Sequence, residues 1–333
     1  MIETWIDLYG EGALLLAAGA LVGLIFGAAA QHSRFCLRAA TVEVADGRFG
    51  PRLAVWLLAF LAAVLSVQAA IQLEWLDVRE ARQLAGTGSL SGAVIGGLMF
   101  GAGMVLARGC ASRLLVLSAT GNLRALLTGL VLTLVAQAAL RGVLAPARQG
   151  IAELWTVPGG PSRDILAAVG LSGPAILWIA SACALAAIAF AAWRQVTVSR
   201  ILAAVTVGGA VGLGWLLTYA IAQNSFEVVP IASVTFTGPA TDTLMGLVNA
   251  PELPASFGVG LVPGVFVGAG VMALLSGEFA IERFGPETPM ERYLLGAGLM
   301  GFGAMLAGGC AVGAGLSGGS VFSLTAWVAV FAM

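Results

Sequence analysis

Two stretches of the chain share one pattern, GGLMFGAGMVLARGCAS at residues 96–112 and GAGLMGFGAMLAGGCAV at residues 296–312. At a constant offset of 200 residues, eight positions are identical: Gly96/Gly296, Gly101/Gly301, Gly103/Gly303, Leu106/Leu306, Ala107/Ala307, Gly109/Gly309, Cys110/Cys310 and Ala111/Ala311. Convergent glycine-rich helix packing is the alternative explanation, since small residues are common where membrane helices meet. A matched cysteine among the matched glycines favours an internal duplication.

The composition is that of an integral membrane protein. Of 333 residues, 59% are hydrophobic and only 10% are charged, and the mean hydropathy is +0.97. One helical crossing of a bilayer needs about 20 apolar residues. The chain offers many such runs, so it is predicted to cross the membrane several times. The first run follows acidic rather than basic residues, so we interpret it as a retained helix and not as a signal peptide.

The sequence predicts an all-α polytopic helical bundle with about nine transmembrane helices and short re-entrant helices. The predicted crossings are 12–31, 52–73, 90–107, 122–144, 174–193, 200–222, 257–276, 291–307 and 320–333. Three helical pieces are too short to cross and are predicted to dip into the membrane, namely 36–44, 111–119 and 241–248. We interpret residues 1–333 as one transmembrane domain, built from two related halves at about 12–145 and 200–333 and joined by a linker at 146–199.

The two copies of the repeat are predicted to run in opposite directions, because four crossings lie between them. This arrangement is an inverted internal repeat, which many transporters use to build a binding site near the middle of the membrane. All 16 basic residues are arginine, and nine crossings place eleven of them on one side and five on the other. Because cytoplasmic loops gather positive charge, the N-terminus is predicted outside and the C-terminus in the cytoplasm.

The repeated stretch ends in residues that suit an anion site. If the helix breaks at Gly109-Cys110 and resumes at Ala111, backbone N–H groups become available beside a thiol at a helix N-terminus. The second copy offers the same chemistry at Gly309, Cys310 and Ala311. We therefore predict that both breaks bind the transported ion.

Cys36 is the third candidate, because Arg34 and Arg38 flank it in QHSRFCLRAA, and Arg34 is itself predicted to bind the anion. Its alternative role is that of a buried small apolar residue, which is common for a free cysteine. Cys183 lies in the apolar run WIASACALAAIAF and is interpreted as a packing residue. His32 is the one histidine of the chain, and no acidic residues cluster near Cys110 or Cys310. Neither a metal site nor a hydrolytic enzyme is therefore predicted. No cofactor and no nucleic-acid partner are predicted either.

Three motifs together resemble the YeeE/YedE sulfur-transport family: SRFCLRAA at 33–40, GAGMVLARGCASR at 101–113 with GNLRALL at 121–127, and GFGAMLAGGCAVGAGLSG at 301–318. The resemblance implies a bacterial inner-membrane importer of thiosulfate or a closely related sulfur anion, with a bundle pinched at its centre by short helices. By motif, Cys36, Cys110 and Cys310 take the places of the family's functional cysteines. The resemblance also implies a cytoplasmic partner, either a small sulfur carrier of the TusA type or a rhodanese-type protein. The chain departs from the pattern in Arg113-Leu114-Leu115 and ends at Met333 without an appended domain.

Thiosulfate is a dianion with one soft sulfur and three oxygens, and even one charge is costly at the centre of a membrane. Our hypothesis is that three neutral thiols in a line donate weak S–H hydrogen bonds to the soft sulfur while backbone N–H groups hold the oxygens. Three alternatives stay open at this point: a transporter of another sulfur or selenium compound, a channel for another small solute, and a membrane sulfurtransferase that forms a cysteine persulfide.

Overall fold

The computed structural model describes residues 2–171, 173–249, 253–284 and 289–333. In this part of the chain, sixteen α-helices follow one another: α1 Ile2–Tyr9, α2 Glu11–Ser33, α3 Leu37–Ala45, α4 Pro51–Gln72, α5 Arg82–Ala85, α6 Leu90–Leu106, α7 Ala111–Ala119, α8 Leu123–Arg141, α9 Ala145–Ala152, α10 Ile165–Val169, α11 Gly173–Trp193, α12 Val198–Gln223, α13 Thr237–Asn249, α14 Phe257–Leu275, α15 Met290–Ala307 and α16 Leu324–Ala332. A 3₁₀ turn covers Pro161–Arg163 and a π-helix covers Gly313–Gly318. The two short strands Gly88–Ser89 and Thr156–Val157 form an antiparallel ribbon.

The prediction of an all-α polytopic membrane protein is confirmed. Seven helical segments of the described residues are long and apolar enough to cross a membrane, and they begin at Glu11, Pro51, Leu90, Leu123, Gly173, Val198 and Phe257. The long helix α15 also coincides with a predicted crossing. The three short helical pieces appear as well: 36–44 corresponds to α3, 111–119 to α7 and 241–248 to α13.

The ninth predicted crossing, 320–333, is short and covers only part of the membrane. Its helix α16 has nine residues, which at 1.5 Å per residue covers about 14 Å of a hydrocarbon core about 30 Å thick. A turn at Val321 and Phe322 separates α16 from the preceding π-helix. Hydropathy could not detect this break, because the residues on both sides of it are apolar.

Two parallel helix pairs, α2 with α14 and α4 with α12, pack closely in the core. In α14, a side chain on Gly264 would meet the Cα of Ala20 at 3.0 Å. In α12, a side chain on Gly208 would meet the backbone nitrogen of Ala63 at 2.6 Å. Glycine is therefore required at these crossings because the backbones touch.

Helices α6 and α15, which carry the repeated stretch, pack antiparallel with reciprocal contacts. A Cβ at Gly96 would lie 2.6 Å from Gly303 O, and a Cβ at Gly296 would lie 2.8 Å from Gly103 O. Gly96 thus contacts Gly303, and its counterpart Gly296 contacts Gly103, the counterpart of Gly303. An inverted repeat predicts this reciprocity, while the boundaries of the halves at 12–145 and 200–333 stay a prediction. The predicted linker 146–199 contains α10 and α11, and α11 packs against α4.

Candidate functional site

Both repeated stretches break at their cysteine, and the two breaks use the same backbone hydrogen bonds. Helix α6 ends at Leu106, and the Gly109 N–H donates to Met104 O at 3.2 Å. In the second copy, the Gly309 N–H donates to Ala304 O at 3.0 Å. The next helical turn then begins in the same way, with Leu114 N to Cys110 O at 2.9 Å and Ala314 N to Cys310 O at 2.8 Å.

These hydrogen bonds determine which backbone N–H groups remain available to bind an anion. The N–H groups of Gly109 and Gly309 were predicted to be available, but both donate within the chain. The N–H groups of Ala111 and Ala311 instead begin the next helical segment, where a helix has no internal acceptor for them. The role of these four residues in binding stays a prediction, with the alanine amides as the better placed donors.

The segments after the two cysteines differ. After Cys110, α7 is an ordinary α-helix, whereas after Cys310 the chain forms the π-helix Gly313–Gly318. The Cys310 sulfur accepts the Gly313 N–H at 3.5 Å, and the Cys110 sulfur lies 3.2 Å from the Ser112 hydroxyl oxygen. π-helical turns are rare and are frequent at functional sites.

The fold brings three of the four cysteines together. Cys110 and Cys310 are buried, with 2% and 1% of their surface exposed, and Cys36 is half-buried at the start of α3. Both Cys36 and Cys310 lie within electrostatic range of the Cys110 sulfur. Cys110 is thus grouped with both other cysteines. Cys183 lies apart from this group, on the exposed surface of α11. The interpretation of Cys183 as a packing residue predicted a buried side chain, and the structure has an exposed one.

The Cys36 end of the molecule carries an ion pair. Arg34 caps α2 in a left-handed conformation and donates to Glu278 at 2.8 Å, and Gln31 donates to the other oxygen of the same carboxylate at 2.9 Å. The hydrogen bond from Arg34 lowers the pKa of Glu278, and the Gln31 hydrogen bond adds to this effect. Arg34 was predicted to bind the ion, but its guanidinium is engaged with this carboxylate.

The segment that carries Glu278 also fastens the end of α7. Ala280 N donates to Thr120 O and Leu123 N donates to Glu282 O, each at 3.1 Å. The Asn122 side chain bonds the Glu282 carboxylate. The turn between α7 and α8 therefore lies on the same end of the molecule as Cys36.

A cavity of about 280 Å³ lies at the opposite end, next to the Cys310 break. Its wall includes Gly308 and Gly313, which lie on either side of Cys310, and three arginines, Arg82, Arg148 and Arg163. Among the described residues that line it, none is acidic. It therefore suits an anion.

Arg163 is the most deeply placed of these arginines, with 6% of its surface exposed. Its guanidinium donates to Gly86 O at 2.6 Å and to the Thr325 hydroxyl at 2.5 Å, and its buried Nε has no hydrogen-bond partner in the described residues. Burial lowers the pKa of Arg163, and the positive charge of Arg82 lowers it further. The two cations thus reinforce the positive potential of the cavity.

The arginines of this cavity were missed by sequence reasoning, which counted them only as loop charges. Arg82 and Arg148 are 66 residues apart in the sequence, and Arg163 follows 15 residues later. Only the antiparallel ribbon and the packing of the linker bring them together. In the described part of the chain, no three metal-ligating side chains converge.

Comparison with known proteins gives one family. The model of a family described as sulphur transport matches residues 32–333. A thiosulfate transporter of Escherichia coli strain K12 is 27% identical over 341 aligned positions, which cover 96% of this chain and 92% of the relative. A thiosulfate transporter of Spirochaeta thermophila is 28% identical over 334 positions, which cover 95% of this chain and 94% of the relative.

Proposed function

Because this chain belongs to the sulphur transport family, we propose that it imports thiosulfate across the bacterial inner membrane. The two relatives are named thiosulfate transporters and align over nearly their whole length. The described part of the chain is a multi-pass membrane protein with seven clear spanning segments. We place its N-terminus outside and its Cys36 end in the cytoplasm, on the arginine excess at the Cys36 end.

The observation that carries the proposal is that Cys36 and Cys310 both lie within electrostatic range of the buried Cys110 sulfur. A bare dianion is costly in hydrocarbon, so a path needs polar groups that are close enough to hand the ion on. A neutral thiol is a weak donor that does not repel an anion, whereas a fixed carboxylate would. The ion therefore steps from thiol to thiol in the order Cys310, Cys110, Cys36.

The arginine cavity supplies the outer end of this path. Arg82, Arg148 and Arg163 raise the local concentration of anions in front of Cys310, as clefts lined by one sign of charge do. A second cavity of about 620 Å³ contains Glu74, Asp77 and Asp164 in its wall, so it is a poorer entrance for an anion. The Ala311 and Ala111 amides then take the oxygens at each break.

The ion crosses unchanged, so the chain is a transporter and not an enzyme. The alternative is a sulfurtransferase, in which a cysteine thiolate attacks the outer sulfur of thiosulfate and releases sulfite, leaving a persulfide. Mass spectrometry after incubation with thiosulfate distinguishes the two. We expect no gain of one sulfur on Cys36, Cys110 or Cys310, and a stoichiometric persulfide on any of them would favour the enzyme.

A sulfur carrier of the TusA type or a rhodanese-type protein receives the ion in the cytoplasm. Half-buried Cys36, at the start of α3, supplies an accessible end for such a partner. Carriers that accept sulfur need a path that ends at the surface, and Cys36 is the most accessible of the three grouped cysteines.

Uptake of thiosulfate labelled in its outer sulfur, measured in vesicles with and without the protein, tests the proposal. We expect saturable uptake that unlabelled thiosulfate abolishes and that an equal concentration of sulfate reduces weakly, since sulfate has no soft sulfur for the thiols. Uptake equal to that of empty vesicles, or equal competition by sulfate, would contradict it.

A further inference from the structure

Arg113 lies beside Cys110, and the transport path described above makes no use of it. It occupies the third position of α7, one turn after the break. Its Cβ and Cγ lie 3.7 and 3.6 Å from the point that a side chain at Gly109 would occupy. The guanidinium lies within electrostatic range of both Cys36 and Cys110.

The charge of this guanidinium is not neutralised directly. Its Nη1 is buried and has no hydrogen-bond partner among the described residues, which also contain no ion pair of Arg113. Glu278 lies within electrostatic range, but its two oxygens are taken by Arg34 and Gln31. A buried donor without a hydrogen-bond partner costs free energy. An anion that accepts a hydrogen bond from Nη1 would remove this cost, which favours its binding.

The second copy of the repeat has no counterpart to this charge. Gly313 occupies the position that corresponds to Arg113 at the offset of 200. A side chain there would come within 2.9 Å of Thr235 Cβ, so the second break excludes an arginine. The two breaks therefore share their backbone and their cysteine but differ in one fixed positive charge.

We propose that Arg113 is the residue that selects a dianion at Cys110, with its buried Nη1 bonded to the sulfonate oxygens while the soft sulfur faces Cys110 and Cys36. This proposal rests on the proposed transport of thiosulfate. Cysteines recognise the soft sulfur, and Arg113 recognises the second charge. An arginine suits this task because its planar fork matches an oxyanion and stays charged.

Competition among three anions separates the two kinds of recognition. Thiosulfate carries two charges and a soft sulfur, methanethiosulfonate carries one charge and a soft sulfur, and sulfate carries two charges and no soft sulfur. In the unaltered protein, we expect thiosulfate to bind more tightly than either competitor.

Replacing Arg113 by glutamine removes the charge and keeps a polar side chain. In Arg113→Gln, we expect the half-saturating concentration of thiosulfate to rise about tenfold to hundredfold, the range for a lost charge-assisted hydrogen bond. The inhibition constant of methanethiosulfonate should change much less, so the preference for thiosulfate over this monoanion collapses. Discrimination against sulfate should remain, because the cysteines supply it.

Arg200→Gln is the matched control, since Arg200 is an exposed arginine in the first turn of α12. It should leave both preferences unchanged. Arg113→Lys keeps the charge without the planar fork, so it should retain the preference for dianions at a half-saturating concentration between those of the unaltered protein and Arg113→Gln. This variant decides the question if Arg113→Gln does not insert.

Binding of thiosulfate to the purified protein, measured by calorimetry, makes the test independent of transport. Binding that weakens in Arg113→Gln but not in Arg200→Gln supports the role of Arg113 even where vesicles show no uptake, a result that contradicts only the proposed transport. An unchanged thiosulfate affinity and an unchanged preference over methanethiosulfonate in Arg113→Gln would overturn the role of Arg113.

Discussion

Cys110 combines the features that a relay for a soft anion needs at the scale of one residue. Its sulfur is buried, lies beside the Ser112 hydroxyl and stands at the start of α7. Cys310 stands at the corresponding break of the other copy. The two breaks therefore offer the ion two buried thiols on similar backbone turns, and they differ in the groups around each sulfur.

The arginine cavity makes a prediction about the capture of the ion. In Arg82→Gln, we expect the half-saturating concentration of thiosulfate to rise several-fold at low ionic strength, because one of three cations at the entrance is lost. The difference from the unaltered protein should shrink as salt is added, since exposed charges are screened over about 10 Å at 0.1 M. Vesicle uptake across a salt series measures this.

Arg141→Gln is the control for this experiment, because Arg141 is exposed at the end of α8 and does not line the cavity. It should have no such effect. A salt-independent loss of uptake in Arg82→Gln would contradict electrostatic capture and point to a structural role through its contact with Gly308 O.

At this scale the sequence predicted the three cysteines that come together but not their neighbours. Cys36, Cys110 and Cys310 were recognisable because repeated glycines or arginines surround them. Arg113 was noted only as a departure from the family pattern, since nothing local shows that its Nη1 is buried. The availability of the Gly109 amide was mispredicted, because the bond to Met104 O depends on how the helix end closes.

The elements follow from the sequence where apolar runs are long. Eight of the predicted crossings form helices of 17 to 26 residues in the described chain. The short helix α7 was predicted with its bounds, because the glycine and cysteine before it and the Thr120–Asn122 turn after it mark its ends. The π-helix was not predicted, since the hydrophobic pattern of a six-residue segment does not distinguish a π-helix from an α-helix.

Adjacent glycines of α12 test the packing of the helices. Gly208 touches α4, where a Cβ would lie 2.6 Å from Ala63 N and 2.7 Å from Ala62 Cβ, whereas no atom lies within 4 Å of a Cβ on Gly209. We expect Gly208→Ala to lower the melting temperature and the yield of folded protein. Gly209→Ala should be neutral or slightly stabilising, because alanine favours a helix over glycine by roughly 1 kcal/mol.

Thermal unfolding in detergent, followed by size-exclusion chromatography, measures both variants. Equal melting temperatures for the two would show that α4 and α12 do not touch at Gly208.

At the scale of the whole molecule, each repeated helix packs against a helix of the other half. Gly301 approaches α8, where a Cβ would lie 2.6 Å from Leu132 O, and Gly97 approaches α16 in the same way at Ala329 O. Each repeated helix thus supports the last helix of the other half. Sequence predicted the opposite directions of α6 and α15, but these long-range pairs needed the three-dimensional structure, because they depend on packing.

The orientation of the molecule can be tested on two exposed loop residues. Phe226 lies after α12 on the predicted outer side, and Arg48 lies before α4 on the predicted cytoplasmic side. In intact cells, a membrane-impermeant maleimide should label Phe226→Cys and not Arg48→Cys, both in a Cys183→Ala background. Labelling of Arg48→Cys alone would reverse the assigned topology and with it the direction of the cysteine path.

The central claim is that thiosulfate crosses along Cys310, Cys110 and Cys36. Uptake of labelled thiosulfate by vesicles that contain equal amounts of inserted protein, compared among Cys110→Ala, Cys310→Ala and Cys183→Ala, tests it most directly. We predict that the first two variants lose uptake to the level of empty vesicles, because each removes a buried thiol of the path. Cys183→Ala should transport normally, since Cys183 lies on the exposed surface of α11. Normal uptake by Cys110→Ala would contradict the claim.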